Sequence, residues 1–279
     1  MTDRLLILGA NGMLGSSLIR YFYSKTTAKV FGSVRSTEIA SEMRMLGLDC
    51  VYVSGDVTDF ENVSSLIESI KPTVVFNCIG VIKQLDNAKL PVPSLEINSL
   101  LPHKLASLCS KLGSRFIHFS TDCVFSGRKG NYSETELPDP PDLYGRSKLL
   151  GEVDYSGHLT LRTSIIGHEI KSKNSLIDWF LGEENQVSGY AGAVFSGLPT
   201  VCIAEFLHLY VLPAPSLSGL YHLSAEPIDK FSLLGLVKSV YGKQVTIVKS
   251  GEYILDRSLN SNALRLKTGF KPKKWIRIL

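Results

Sequence analysis

The sequence predicts an α/β chain built on a doubly wound parallel sheet, with a smaller lobe formed by its C-terminal third. Three observations predict it. Short β-branched runs alternate with longer helix-period segments through the first two-thirds of the chain. The runs are nearly all apolar, as strands covered on both faces must be. A glycine-rich turn separates the first run from the first helical segment. Taken in order, Arg4–Leu8 is a strand cut at once by Gly9-Ala10-Asn11-Gly12, and Met13–Ser24 is the first helix. Lys29–Val34 and Val51–Val53 are strands flanking a helix at Ser36–Leu46. Asp59–Ile70 is helical, and Thr73–Asn77 is a buried strand closed by a turn around Gly80. Ser94–Leu112 and Leu143–Val153 are helices, each followed by a strand, Arg115–Ser120 and Leu159–Thr163. Crossovers of this kind are right-handed. After about Gly167 the pattern loosens. Leu176–Leu181, Val201–Val211 and Phe231–Tyr241 read as helices, and Gly219–Leu223 and Val245–Val248 as extended. The division that follows is 1–166 for the sheet domain and 167–279 for a smaller, mainly α-helical lobe on the sheet's C-terminal edge, where open α/β sheets bind ligands.

Composition narrows the function. Hydrophobic residues at 44% and charged residues at 20% are those of a globular chain with a full core. A net charge of +4 is too small to argue for nucleic acid, and Lys271-Pro272-Lys273-Lys274 reads as a solvated tail. The first apolar stretch is too short for an export signal or a membrane span. Five cysteines, odd in number and without C-x-x-C spacing, read as reduced thiols in a cytoplasm. Scattered histidines suggest no metal site.

Gly9-Ala10-Asn11-Gly12-Met13-Leu14-Gly15 has the spacing G-x-x-G-x-x-G at the first strand-to-helix turn. Gly9 permits the tight turn, Gly12 lets a diphosphate approach the backbone, and Gly15 lets helix and strand pack closely. The helix N-terminus then offers N–H groups and a positive dipole end to the anion. Arg35 lies 20 residues after Gly15, where an NAD site usually places an acidic residue. A guanidinium with Ser36 beside it suits a 2′-phosphate, so NADP(H) is favoured over NAD(H). Alternatively Arg35 is an exposed charge paired with Glu38. Asp56-Val57, after the third strand, could hold the adenine amino group, or Asp56 could cap a helix.

Tyr144 and Lys148 are four residues apart and share one helix face. A phenol is a poor acid–base near neutrality, with an ordinary pKa of about 10. A nearby ammonium and a charged nicotinamide would both pull that value down. Lys148 can also hold the nicotinamide ribose. His118-Phe119-Ser120-Thr121-Asp122 ends a central strand, where Thr121 can donate to a substrate carbonyl oxygen. His118 reads as a core histidine, Trp179 and Trp275 as packing residues, and Gly127–Asp142 as a polar surface loop.

With these pieces in hand, the chain resembles the extended short-chain dehydrogenase/reductases, and within them the dTDP-4-dehydrorhamnose reductase-like group. The resemblance spans nearly the whole chain. It is carried by Gly9–Gly15, Asn77-Cys78-Ile79-Gly80, Ile97-Asn98 through Leu105-Ala106, Ser120–Gly127, Tyr144–Glu152, Leu161-Arg162-Thr163-Ser164 and Arg257–Ser261. It implies a Rossmann-type domain with a C-terminal nucleotide-sugar lobe, and catalysis by Thr121, Tyr144 and Lys148. Asn98 matches an asparagine that helps a proton relay in the wider superfamily. Cys78, Ile79 and Gly80 are implied to lie against the cofactor, and Thr163, Ser164 and Ile165 near its nicotinamide. Two departures stand out: the group tends to carry Tyr at Cys123 and Trp at Ile165, both expected to face the sugar. The related dehydratases use Thr-Asp-Glu where this chain has Thr121-Asp122-Cys123, which disfavours dehydration.

The expected function is therefore an NADP(H)-dependent reductase of a nucleotide-linked 4-keto-deoxysugar, in deoxysugar or polysaccharide biosynthesis, with Tyr144 as proton donor. The nucleotide-sugar lies near Asp122, Cys123, Ser196 and Gly197. Arg162 and Arg257 are phosphate partners or structural ion pairs, and Lys83 with Gln84 reaches the substrate or sits in a solvated loop. A homodimer is compatible with this reading. Two alternatives remain, a nucleotide-sugar epimerase with bound NAD and a non-catalytic cofactor-binding regulatory subunit.

Overall fold

The computed structural model describes residues 3–82, 90–170 and 175–277. Lys83 and Gln84 lie outside the described residues. The sheet domain runs β1 (Arg4–Leu8), α1 (Met13–Lys25), β2 (Lys29–Val34), α2 (Thr37–Met45), β3 (Val51–Val53), α3 (Phe60–Ile70) and β4 (Val74–Asn77). One long helix follows. It starts as α4 (Pro91–Ser94), widens into a π-helical segment (Leu95–Leu100) and continues as α5 (Leu101–Leu112). Then come β5 (Arg115–Thr121), α6 (Leu143–Leu150) and β6 (Leu159–Thr163).

Alternate residues of β1 serve opposite layers. Leu5 and Ile7 join a core with Phe22, Phe76 and Ile117, while Leu6 and Leu8 join Val63, Ile67 and Phe116 on the other face. Each such fully buried side chain contributes roughly 1.5–3 kcal/mol, and their two-sided burial is why the strand sequence shows no polar alternation. Helix starts are fixed locally: Ser36, Asp59 and Asp142 each accept a backbone N–H from the first turn of α2, α3 and α6. Gly113 ends α5 in the left-handed conformation.

The rest of the chain forms β7 (Ile165–Ile166), α7 (Leu176–Gly182), β8 (Gln186–Tyr190), β9 (Ala193–Phe195), β10 (Leu198–Pro199), α8 (Thr200–Phe206), β11 (Gly219–His222), β12 (Ile228–Asp229), α9 (Lys230–Tyr241), β13 (Thr246–Ser250), β14 (Leu255–Asp256) and α10 (Asn262–Thr268). Among the described residues the main sheet has seven strands in the order β11-β6-β5-β4-β1-β2-β3, every neighbouring pair parallel. This is the doubly wound order, with its topological switch between β1 and β4. The extended run at Gly219 thus returns to the main sheet and covers the free edge of β6, pairing Leu220 with Thr160 and His222 with Arg162. Likewise α8 lies against α1, where Ser17 Oγ and Thr200 Oγ1 are 2.6 Å apart. The two stretches of chain interleave. The C-terminal stretch also builds small sheets: β9 lies between β12 and β14, none of which the sequence reading contained, and β8 pairs with β13, the extended run expected at Val245–Val248. Among the described residues no helix is long and apolar enough to cross a membrane, and no side-chain cluster could hold a metal ion.

Candidate active site

The carboxyl ends of β1, β2, β4, β5 and β6 open on a single cleft of about 1380 Å³. At the switch point, Gly9 takes a φ of +75° and turns the chain into α1. Gly15 does not line the cleft. It packs behind the turn, where an added Cβ would run into Gly9 O and lie 2.9 Å from Gly9 C. Asn11, Gly12, Met13 and Leu14 form the cleft wall, and no side chain caps the N-terminus of α1. A glycine cradle beneath an uncapped helix start is what a diphosphate needs, so the loop fits a dinucleotide.

Farther along, Arg35, Asp56 and Val57 line the cleft together with Ser33 and Ser54, which the sequence reading missed. Glu38 is held by Ser36 and Thr37, which lower its carboxyl; it is not drawn to Arg35. Ser36 is not a cleft residue; its hydroxyl accepts from Ile39 N at the start of α2. Asp56 Oδ1 accepts from both the amide and the hydroxyl of Thr58, and these bonds lower its carboxyl. It is a turn residue and a cleft residue at once. Cys78, Ile79, Gly80, Thr163, Ser164 and Ile165 form the cleft's central wall.

Thr121 ends β5 and Tyr144 opens α6, and they meet in the cleft. Burial pushes the Tyr144 phenol well above its ordinary value, and nearby Cys123, Asp122 and Asp142 push the same way. A hydrogen bond with Thr121 pulls it down. The phenol thus stands above its ordinary value despite the lysine one turn away, whose Nζ donates to Phe119 O at 2.7 Å. The fixed donors beneath explain the rest. The Ile79 amide can only donate, so Asn77 presents Oδ1 to it at 3.1 Å and Nδ2 to His118 Nδ1 at 3.2 Å. His118 is fully buried, and burial holds its imidazole far below the usual range. Its proton therefore sits on Nε2, 3.5 Å from Lys148 Nζ. Burial among such groups pushes Lys148 down to about 8, with Glu152 and Cys78 pulling upward.

Asn98 lies in the π-helical segment and is buried outside the cleft lining. Its Oδ1 accepts from Val81 N, and its Nδ2 donates to Val81 O and Ser147 Oγ. These bonds stitch the loop after β4 to α6, so its side chain holds the helix of Tyr144 in place.

Several substrate expectations need correction. Arg162 does not reach a phosphate: its Nε and Nη2 donate to Glu152 at 2.7 and 2.8 Å, and the pair is buried at 5% and 8% side-chain exposure. Ser120 Oγ donates to the same carboxylate at 2.6 Å, tying the pair to the residue before Thr121. Ser196 is buried and accepts from Leu259 N, and Gly197 packs on Ser164 O, so neither lines the cleft. Arg257 does line it, beside Asp122 and Cys123. Trp275 packs in the core, whereas Trp179 is 39% exposed and stands in the cleft wall with Tyr190 and Tyr253. Lys230, which the sequence did not single out, also lines the cleft, with burial holding its amine down to about 8.

A doubly wound sheet, a glycine loop at its switch point and a Thr121–Tyr144–Lys148 trio on one cleft define an NAD(P)-dependent oxidoreductase of the short-chain dehydrogenase/reductase type. The chain belongs to the RmlD substrate binding domain family, whose model matches residues 3–241. It is similar to a dTDP-4-dehydrorhamnose reductase of Aggregatibacter actinomycetemcomitans, at 29% identity over 80% of this chain and 74% of that protein. A probable low-salt glycan biosynthesis reductase of Haloferax volcanii is 36% identical over 52% of this chain, but the match spans only 46% of that protein. A methionine adenosyltransferase 2 subunit beta of Danio rerio is 30% identical over 82% of this chain and 71% of its own length. In fold the chain is similar to a dTDP-4-dehydrorhamnose reductase of Bacillus anthracis solved in complex with NADP, with a TM-score of 0.79 and 22% identity over 99% of this chain and 97% of that one.

Proposed function

We propose that the protein is an NADP(H)-dependent reductase of a nucleotide-linked 4-keto-deoxysugar, acting in deoxysugar or polysaccharide biosynthesis. The observation that carries this reading is the meeting of Thr121 and Tyr144 in the cleft above a buried Lys148. The bound nicotinamide supplies the hydride; everything else falls to this chain. Tyr144, kept neutral by burial, holds the proton that the developing alkoxide at sugar C4 takes up. Thr121 hydrogen-bonds the same oxygen and orients it. Lys148, fixed by Phe119 O, holds the ribose and sets the local charge. Arg35 stands in the cleft where a 2′-phosphate would lie, which supports NADP(H) over NAD(H). In this reading residues 1–166 hold the cofactor, while 167–279 supply most of the sugar-nucleotide wall.

The likeness to the Danio rerio protein favours one second reading, a cofactor-binding regulatory subunit. The retained trio speaks against it, since a scaffold has no chemical need for a phenol, an amine and a hydroxyl on one cleft. The test is NADPH consumption with a panel of nucleotide-linked 4-keto-6-deoxyhexoses, using deuterium at the transferred position. Label recovered at sugar C4 supports the reductase. Binding of NADPH with no turnover of any keto-sugar overturns it in favour of the subunit.

A further inference from the structure

Lys230 opens α9 directly after its capping residue Asp229 and faces the cleft. Its Nζ stands 4.3 Å from the centre of the Phe195 ring. Among the described residues no carboxylate comes within ion-pair distance of it. Arg257 stands in the same wall and donates to two uncharged acceptors. Nε donates to Phe125 O at 2.9 Å and Nη1 to Cys123 Sγ at 3.3 Å. Both cations act on Asp122, which also accepts from Thr121 Oγ1 at 3.2 Å. Two cations against one carboxylate leave this part of the wall with an excess positive charge. It is held on apolar and neutral groups, where an uncompensated ammonium is costly.

We propose that Lys230, with Arg257 beside it, binds an oxyanion of the substrate and makes the cleft selective for anionic sugar nucleotides. The proposal rests on the reductase reading for the identity of the ligand as a sugar nucleotide. The oxyanion is the diphosphate or a carboxylate on the sugar itself; both present the same charged oxygens to an ammonium and a guanidinium. Aromatic support from Phe195 keeps the Lys230 head group in the wall, so its charge is spent on the ligand and not on solvent.

Isothermal titration of the NADPH-loaded protein with UDP, dTDP, UDP-glucose and UDP-glucuronate tests it, in the unmodified chain and in Lys230→Gln and Lys230→Arg. The expected result is a loss of about tenfold or more in affinity for Lys230→Gln, restored in large part by Lys230→Arg, with NADPH affinity unchanged and the melting temperature of Lys230→Gln not lowered. Loss for all four nucleotides assigns the diphosphate, and loss for UDP-glucuronate alone assigns a sugar carboxylate. Nucleotide binding that Lys230→Gln leaves intact overturns the proposal while sparing the reductase reading. Failure of the unmodified chain to bind any of the four removes both.

Discussion

Lys148→Met should abolish turnover and yet stabilise the fold near neutral pH. Lys148 is only 6% exposed, and burial lowers its amine from an ordinary 10.5 to about 8. The unfolded chain keeps its proton up to the higher value, and the folded chain only to the lower. Between them the unfolded state binds more protons, so stability rises with pH from about 8 to 10.5. Below about 8 the full cost is present, worth roughly 3 kcal/mol. Methionine fills the space without the charge. It forfeits the bond from Nζ to Phe119 O, at about 1 kcal/mol. The net gain is about 2 kcal/mol near neutrality, or roughly 4 °C in melting temperature for a chain of this size. Urea unfolding of both proteins near neutral pH and at about pH 9.5 measures it. The advantage of the variant should shrink at the higher pH. Lys230 titrates in the same range in both proteins and cancels from the difference. A variant less stable near neutrality, or a difference that ignores pH, would refute the reasoning.

Three further outcomes follow from the packing and the charges. Gly15→Ala pushes a methyl into the Gly9 backbone, so we expect NADPH affinity to fall by about tenfold or more, read by fluorescence titration, with a stability loss of about 1–3 kcal/mol. Glu152→Ala leaves the Arg162 guanidinium buried without its partner; a loss of about 3–5 kcal/mol in urea unfolding is expected, with turnover reduced because Ser120 loses its anchor beside Thr121. Arg35→Asp should weaken NADPH by about tenfold or more while leaving NADH unchanged or tighter, measured as paired dissociation constants.

The parts of the molecule that could be read from the sequence are those in which one physical requirement acts on neighbouring residues. β1 and β4 are short apolar runs because both faces of the sheet are covered there, and the glycine spacing at Gly9–Gly15 reflects backbone crowding within one turn. Tyr144 and Lys148 were legible because one helix turn joins them. What could not be read depends on residues far apart in the chain. Leu198–Pro199 and Ile228–Asp229 are too short to show a period, and their strands exist only by pairing with distant partners. Arg162 reads from the sequence as either a phosphate partner or half of an ion pair, and only the fold, which sets Glu152 against it, decides for the pair. Lys230 carries no motif at all; its position in the cleft follows from where α9 begins. The direction of the Tyr144 shift was likewise hidden, since it is set by burial and by Cys123 and Asp122, not by the lysine one turn away.

The most direct test of the account is Tyr144→Phe, which removes one oxygen from a half-buried ring and leaves Thr121, Lys148 and the glycine loop in place. We predict NADPH affinity within about twofold of the unmodified protein and keto-sugar turnover lower by about two decades or more. Turnover that survives the loss of the phenol would contradict the assignment of the proton donor and, with it, the chemistry built on this cleft.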